Sequence, residues 1–159
     1  MIAKYNGSFF CIDLTTRPIN IWRYDLVEGF DRCVDDDLIY YEKYVELSEL
    51  DQVFDVAFAV KWNGHWFGCE YFPGKKDIVL FTGKGQLINE YHFEEFERGA
   101  WALSVDFSAC EEFQITYKDY FTKISTSEIL SREEWINLLI KYDVELVPGK
   151  KAAFEQMKK

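Results

Sequence analysis

Few side chains in this chain are of a type and spacing that could exchange a proton, attack a carbon or hold a cation. It has two histidines, His65 and His92, and four cysteines, Cys11, Cys33, Cys69 and Cys110, with no C-x-x-C spacing. No G-x-x-x-x-G-K-[ST], G-x-G-x-x-G, G-x-S-x-G or H-E-x-x-H occurs, so no phosphate cradle, nucleophile elbow or zinc helix is spelled out. His65 and Cys69 fall on one side of a strand, but four residues at ~3.3 Å each separate them by about 13 Å, too far to share an ion at zinc distances. His92 lies among Glu90, Glu94, Glu95 and Glu97, and a His–carboxylate base can be drawn there. Glu111 and Glu112, or Asp35, Asp36 and Asp37, could supply acid and base carboxylates or bind a divalent cation, although the Asp run lacks the D-x-[DN]-x-[DN]-G alternation of a calcium loop. A hairpin-end histidine, a core cysteine and solvated acidic turns explain the same residues with less. No catalytic residue, metal ligand or cofactor is assigned.

Charge is more informative. The net charge is −10 over 159 residues. Residues 25–55 hold eleven acids against Arg32 and Lys43, a net −9, while the last twelve residues, PGKKAAFEQMKK, carry a net +3. Such a chain is a poor ligand for nucleic acid or an anionic membrane, whose phosphates need a basic surface; it suits a basic partner. The acids are interleaved with Phe30, Tyr40, Tyr41 and Tyr44, and interfaces favour aromatic anchors amid complementary charge. A charged face that keeps the protein soluble is the plainer account. The expected partner-binding residues are Asp35, Asp36, Asp37, Glu42, Glu46 and Glu49 as charges and Tyr40, Tyr41 and Tyr44 as anchors.

The elements that must position these residues are mostly strands. In residues 53–72, VFDVAFAVKWNGHWFGCEYF, Phe54, Val56, Phe58, Val60 and Trp62 alternate with Asp55, Ala57, Ala59 and Lys61, the period of a strand with one buried face. Asn63-Gly64 suits a two-residue turn with positive φ, which sets Trp62 opposite His65, Val60 opposite Phe67, Phe58 opposite Cys69 and Val56 opposite Tyr71 on one face, and Lys61 opposite Trp66, Ala59 opposite Gly68, Ala57 opposite Glu70 and Asp55 opposite Phe72 on the other. Residues 8–14, 19–24, 78–82, 87–93, 101–107 and 113–117 read as further strands separated by turn residues. Residues 38–47 fit a strand or a helix, and their tyrosines and valine favour the strand.

The period changes near the C-terminus. Ser131 stands three residues before Glu134 as in a capping box, and Trp135, Leu138, Leu139 and Tyr142 share a helical face. This predicts a helix over about 131–142 covering one face of the sheet, with Ala57, Ala59 and Gly68 offering room for its approach. Pro148-Gly149 is expected to end regular structure and leave 148–159 a mobile basic tail. Length and composition predict one α+β domain over 1–147, mainly an antiparallel β meander, curved or partly closed, with a C-terminal helix packed on one face. No apolar run reaches the roughly 20 residues of a membrane span, and no positively charged segment followed by a long apolar stretch opens the chain; cytoplasmic residence is expected.

Taken together, a small acidic antiparallel sheet with WNGHWFGCEYF at its centre and SREEWINLLIKY at its end resembles the immunity proteins of bacterial polymorphic and contact-dependent toxin systems. The resemblance implies a dedicated inhibitor that binds a cognate toxin domain, often a nuclease with a basic cleft, and has no catalytic residues of its own. Two other classes fit the outline. A lipocalin-like small-molecule carrier could line a cavity with 14 Phe, 10 Tyr and 5 Trp, though the N-terminal G-x-W is absent. An enzyme would have to use His92 and its neighbouring glutamates.

Overall fold

A computed structural model describes residues 1–159. The strands are β1 (Ile2–Tyr5), β2 (Ser8–Asp13), β3 (Ile19–Arg23), β4 (Asp31–Asp35), β5 (Leu38–Val45), β6 (Gln52–Trp62), β7 (His65–Glu70), β8 (Asp77–Thr82), β9 (Glu94–Glu97), β10 (Ala100–Asp106), β11 (Glu112–Asp119) and β12 (Ser125–Leu130). The helices are α1 (Gly85–Tyr91), α2 (Arg132–Leu139) and α3 (Pro148–Met157). The strands hydrogen-bond in the order β4-β5-β3-β2-β1-β6-β7-β8-β10-β9, with β11 paired to β6 and β12. The sheet is antiparallel and does not close, so the fold is α+β. A closed barrel around a ligand, as a lipocalin-like carrier would have, is not formed.

The central hairpin has the register its alternation dictates: Trp62 with His65, Lys61 with Trp66, Val60 with Phe67 and Ala59 with Gly68. Asn63 (φ 46°) and Gly64 (φ 78°) make the turn, the conformation that matches the twist of the flanking strands.

Where the sequence reads as one domain over 1–147, contacts divide the chain into two compact units. The division falls within the eleven-residue strand β6, between Val56 and Ala57. Its start pairs with β1 and its end with β7. One unit comprises residues 1–56, 117–126 and 140–159. Its main core joins Ala3, Tyr5, Phe10, Ile12, Ile19, Ile21, Val45, Leu50 and Val53. On the other sheet face a smaller cluster of Ile2, Phe54 and Leu146 packs with Phe9, Cys11 and Tyr142.

The other unit comprises residues 57–116 and 127–139 and is built around Trp135, which is fully buried. The Trp135 indole N–H donates to the Gln114 carbonyl at 3.0 Å, and its ring meets Phe58 edge-on at 5.6 Å and Phe113 at 5.4 Å. A buried indole needs both an apolar surround and a partner for its N–H, and this site supplies them. The capping box is formed: Ser131 N–H donates to Glu134 Oε2 at 3.0 Å and Glu134 N–H to Ser131 Oγ at 3.2 Å.

Four expectations are corrected. Helix α2 approaches the large-residue face of the central hairpin, at Phe58, and not the small-residue face, where Ala57 and Gly68 remain exposed; burying large apolar side chains on both sides contributes more than close backbone approach. It is regular only to Leu139, and residues 140–144 form a wider π-type turn. Residues 87–93 are not a strand. Leu87, Ile88 and Tyr91 share one helical face of α1 and join the core, and His92 ends the helix at φ 58° with its N–H bonded to the Ile88 carbonyl. Pro148 does not end regular structure but stands at the first turn of α3, where its missing N–H costs nothing. The basic segment is anchored by Lys150 on Asp143 at 2.6 Å and by Lys151 on Asp25. Strands β1, β4, β9 and β12 complete the sheet beyond those read from the alternation.

Candidate protein-interaction site

The acidic segment folds back on itself as the β4–β5 hairpin. Asp31 pairs with Glu42, Arg32 with Tyr41, Cys33 with Tyr40, Val34 with Ile39 and Asp35 with Leu38, leaving Asp36 and Asp37 as a two-residue loop. Asp36 sits at φ 44°, a left-handed conformation that a short polar side chain tolerates. β5 is joined to β3, with Asn20 opposite Tyr44, Trp22 opposite Glu42 and Arg23 opposite Tyr41. β3 in turn sets Asp13 opposite Asn20 and Cys11 opposite Trp22.

Because directly opposed residues share a face and successive residues alternate, this register sorts the site. One face carries Asp13, Asn20, Trp22, Asp31, Cys33, Asp35, Leu38, Tyr40, Glu42 and Tyr44. The opposite face carries Arg23, Arg32, Val34, Ile39, Tyr41 and Lys43, and continues into the main core at Ile19, Ile21 and Val45. Acids and bases are therefore segregated by sign onto opposite sides of the same strands.

The expected site is divided accordingly. Asp35, Tyr40, Glu42 and Tyr44 stand together on the acidic face. Asp36 and Asp37 lie at its tip, exposed. Tyr41 points to the other side, among arginines. Glu49 closes the tight turn at Leu47–Glu49: the Glu46 N–H donates to Glu49 Oε2 at 2.7 Å and the Glu49 N–H to the Glu46 carbonyl at 3.0 Å, so the Glu49 carboxylate has a local structural role. Two other acids of the segment are neutralised inside the chain, Asp25 by Arg23 at 2.9 Å and by Lys151, and Asp55 by the N-terminal amine at 3.4 Å. Asp13, Asn20, Trp22 and Tyr24 were missed by sequence reasoning. They lie outside the acid-rich stretch and reach the site only through strand register.

A concavity of about 300 Å³ opens on the acidic face, lined by Asp13, Asn20, Trp22, Tyr24, Asp35, Leu38, Tyr40 and Glu42. Two of its three carboxylates are held in place. Asp13 Oδ1 accepts from the Thr15 N–H at 2.8 Å and hydroxyl at 2.6 Å, which lowers the Asp13 pKa. Glu42 Oε2 accepts from the Asn20 amide at 2.8 Å. The Tyr24 and Tyr40 rings meet edge-on at 6.5 Å. Desolvation raises the pKa of the Tyr40 hydroxyl, reinforced by the charges of Glu42 and Asp35. The Cys33 thiol is raised as well, by desolvation and then by Glu42, so near pH 7 it is held protonated and is a poor nucleophile. The cavity thus combines a negative potential with neutral aromatic walls and holds neither an activated nucleophile nor a histidine.

The other candidates for chemistry are dispersed or occupied. His92 is exposed at the end of α1. His65 rests against the Tyr91 ring at 6.2 Å, and the Cys69 thiol donates to the Phe58 carbonyl at 3.5 Å. Glu111 accepts from the Gly64 N–H at 3.1 Å and Glu112 pairs with Lys61 at 2.8 Å, which ties both to the central hairpin. No group of three or more His, Cys, Asp or Glu is arranged to hold a metal ion. No helix is long and apolar enough to cross a membrane. Comparisons with protein-family models, curated proteins and solved structures find no match to this chain.

Proposed function

We propose that this chain is a cytoplasmic immunity protein, a non-enzymatic inhibitor that binds a basic toxin domain of the nuclease class and blocks the cleft that would otherwise take nucleic acid. The observation that carries the reading is the gathering of Asp13, Asp31, Asp35 and Glu42 with Trp22, Tyr24 and Tyr40 on one sheet face, with Asp36 and Asp37 at its tip. Carboxylates on one face add into a directional field that draws in a positively charged partner and repels phosphates. Aromatic rings among them supply the large, rigid contact area typical of binding hot spots. Neither the resemblance nor the charge calls for turnover, and the cavity has the chemistry of a binding site.

The test is inhibition of a defined partner. Where a large secreted protein is encoded immediately upstream of this chain's gene, its C-terminal domain is purified and its nuclease activity assayed with increasing amounts of this chain. Loss of activity at a one-to-one ratio is expected. Undiminished activity at a large excess would refute the reading.

A further inference from the structure

Three carboxylates of the cavity, those of Asp13, Asp35 and Glu42, have no ion-pair partner within the chain, whereas Asp25 and Asp55 at other positions do. No lysine or arginine lines the cavity. Two of the three are already fixed by hydrogen bonds from Thr15 and Asn20, each made to a single carboxylate oxygen. The walls are the rings of Trp22, Tyr24 and Tyr40. On the same acidic face the β4–β5 hairpin leaves large side chains in water: Leu38 is 48% exposed and Tyr44 52%. Apolar groups gathered this way beside unpaired charge mark a contact surface.

We infer that this cavity receives one arginine side chain of the basic partner. The source of the arginine rests on the function proposed above; the chemistry rests on the cavity alone. At about 300 Å³ the space lies at the lower limit for small-molecule sites and suits a single side chain. Acceptors dominate its polar lining, so its occupant must be rich in donors and positively charged. A guanidinium offers five N–H donors in a plane, stacks on aromatic faces and sheds water more readily than an ammonium, which presents three donors around a point charge. Leu38, which lines the cavity, then covers the arginine's methylene stem.

The full-length chain is titrated with Nα-acetyl-arginine methylamide and followed by NMR at the Trp22 indole, the Asn20 side-chain amide and the Tyr24 and Tyr40 rings, with the citrulline analogue as a neutral isostere and the lysine analogue as a third arm. Shifts confined to these residues are expected, with a dissociation constant on the order of millimolar for so small a ligand. No localised response to citrulline and a weaker one to lysine are expected. E42Q, which keeps the shape and an acceptor for Asn20, should weaken the arginine response about tenfold, and D35N, at an exposed position, should weaken it in the same direction. Equal responses to arginine and citrulline, a lysine response as strong as arginine, or shifts scattered over other faces would overturn the inference. The two proposals fail separately. A chain that inhibits the upstream domain but ignores the arginine analogue refutes the cavity alone. A chain that binds the analogue but does not protect refutes the inhibitor reading alone.

Discussion

Of the hairpins in this chain that turn through two-residue loops, β6–β7 and β4–β5 differ most in what surrounds the turn. β6–β7 turns at Asn63-Gly64, both at positive φ, and behind the turn Val60 and Phe67 face each other fully buried. β4–β5 turns at Asp36-Asp37, where only Asp36 has positive φ, and the pairs behind it, Asp35 with Leu38 and Val34 with Ile39, are all exposed. In the first hairpin turn chemistry, alternation and burial agree, and the element stabilises the fold. In the second, like charges crowd the tip and apolar side chains stand in water, held by the ladder to β3. Local consistency is a property of scaffold, and its breach is expected where a surface serves something outside the chain.

The sharpest way to break the contrast is to attack the scaffold side. Trp135→Ala should cost about 3–5 kcal/mol, because it empties the centre of its core and orphans the Gln114 carbonyl; denaturant unfolding measures it, and a loss below about 1 kcal/mol would deny Trp135 its central place. On the acidic hairpin, replacing Asp35, Asp36 and Asp37 together by lysine should leave stability within about 0.5 kcal/mol per site while lowering the association rate with the proposed basic partner by about tenfold or more at low salt. Stopped-flow mixing checks the rate and thermal unfolding the stability. The loops sharpen the comparison at smaller scale. Gly64→Ala, at φ 78°, should destabilise by about 1 kcal/mol, whereas Asp36→Gly should be neutral or stabilising by a few tenths of a kcal/mol, since glycine takes the left-handed conformation freely.

A separate effect expected on the scaffold side is a pH dependence. Burial pushes the Cys110 thiol from 9.0 up to about 11. A thiol whose folded pKa is raised stabilises the folded chain fully below pH 9; the unfolded chain ionises first, so the contribution is lost as pH rises towards about 11. Stability measured across that window should fall less steeply in Cys110→Ala than in the parent, and identical slopes would contradict the assignment.

These contrasts also explain what could be read beforehand. The four pairs of the central hairpin nearest its turn were legible because period-two alternation and Asn-Gly turn chemistry reinforce each other. The capping box at Ser131 and Glu134 was legible for a similar reason. Helix α1 was not: at seven residues it spans under two turns, too few for its period to outweigh the tyrosine and isoleucine that suggest a strand. α3 was hidden by Pro148, which stops a helix in its interior but suits its first turn. The acidic residues were visible as composition, but their division into a cavity face and an arginine-bearing face depends on strand register. Neither the inclusion of Asp13 and Trp22 nor the removal of Tyr41 to the other side could be seen in a linear reading.

The most direct test of the proposal is the association rate of this chain with the proposed basic toxin domain, followed across an ionic-strength series for the parent and for the chain with Asp35, Asp36 and Asp37 reversed to lysine. The account predicts a fast rate for the parent that falls steeply with salt, and a slower, nearly salt-independent rate for the variant. Superimposable salt profiles for the two proteins would contradict it.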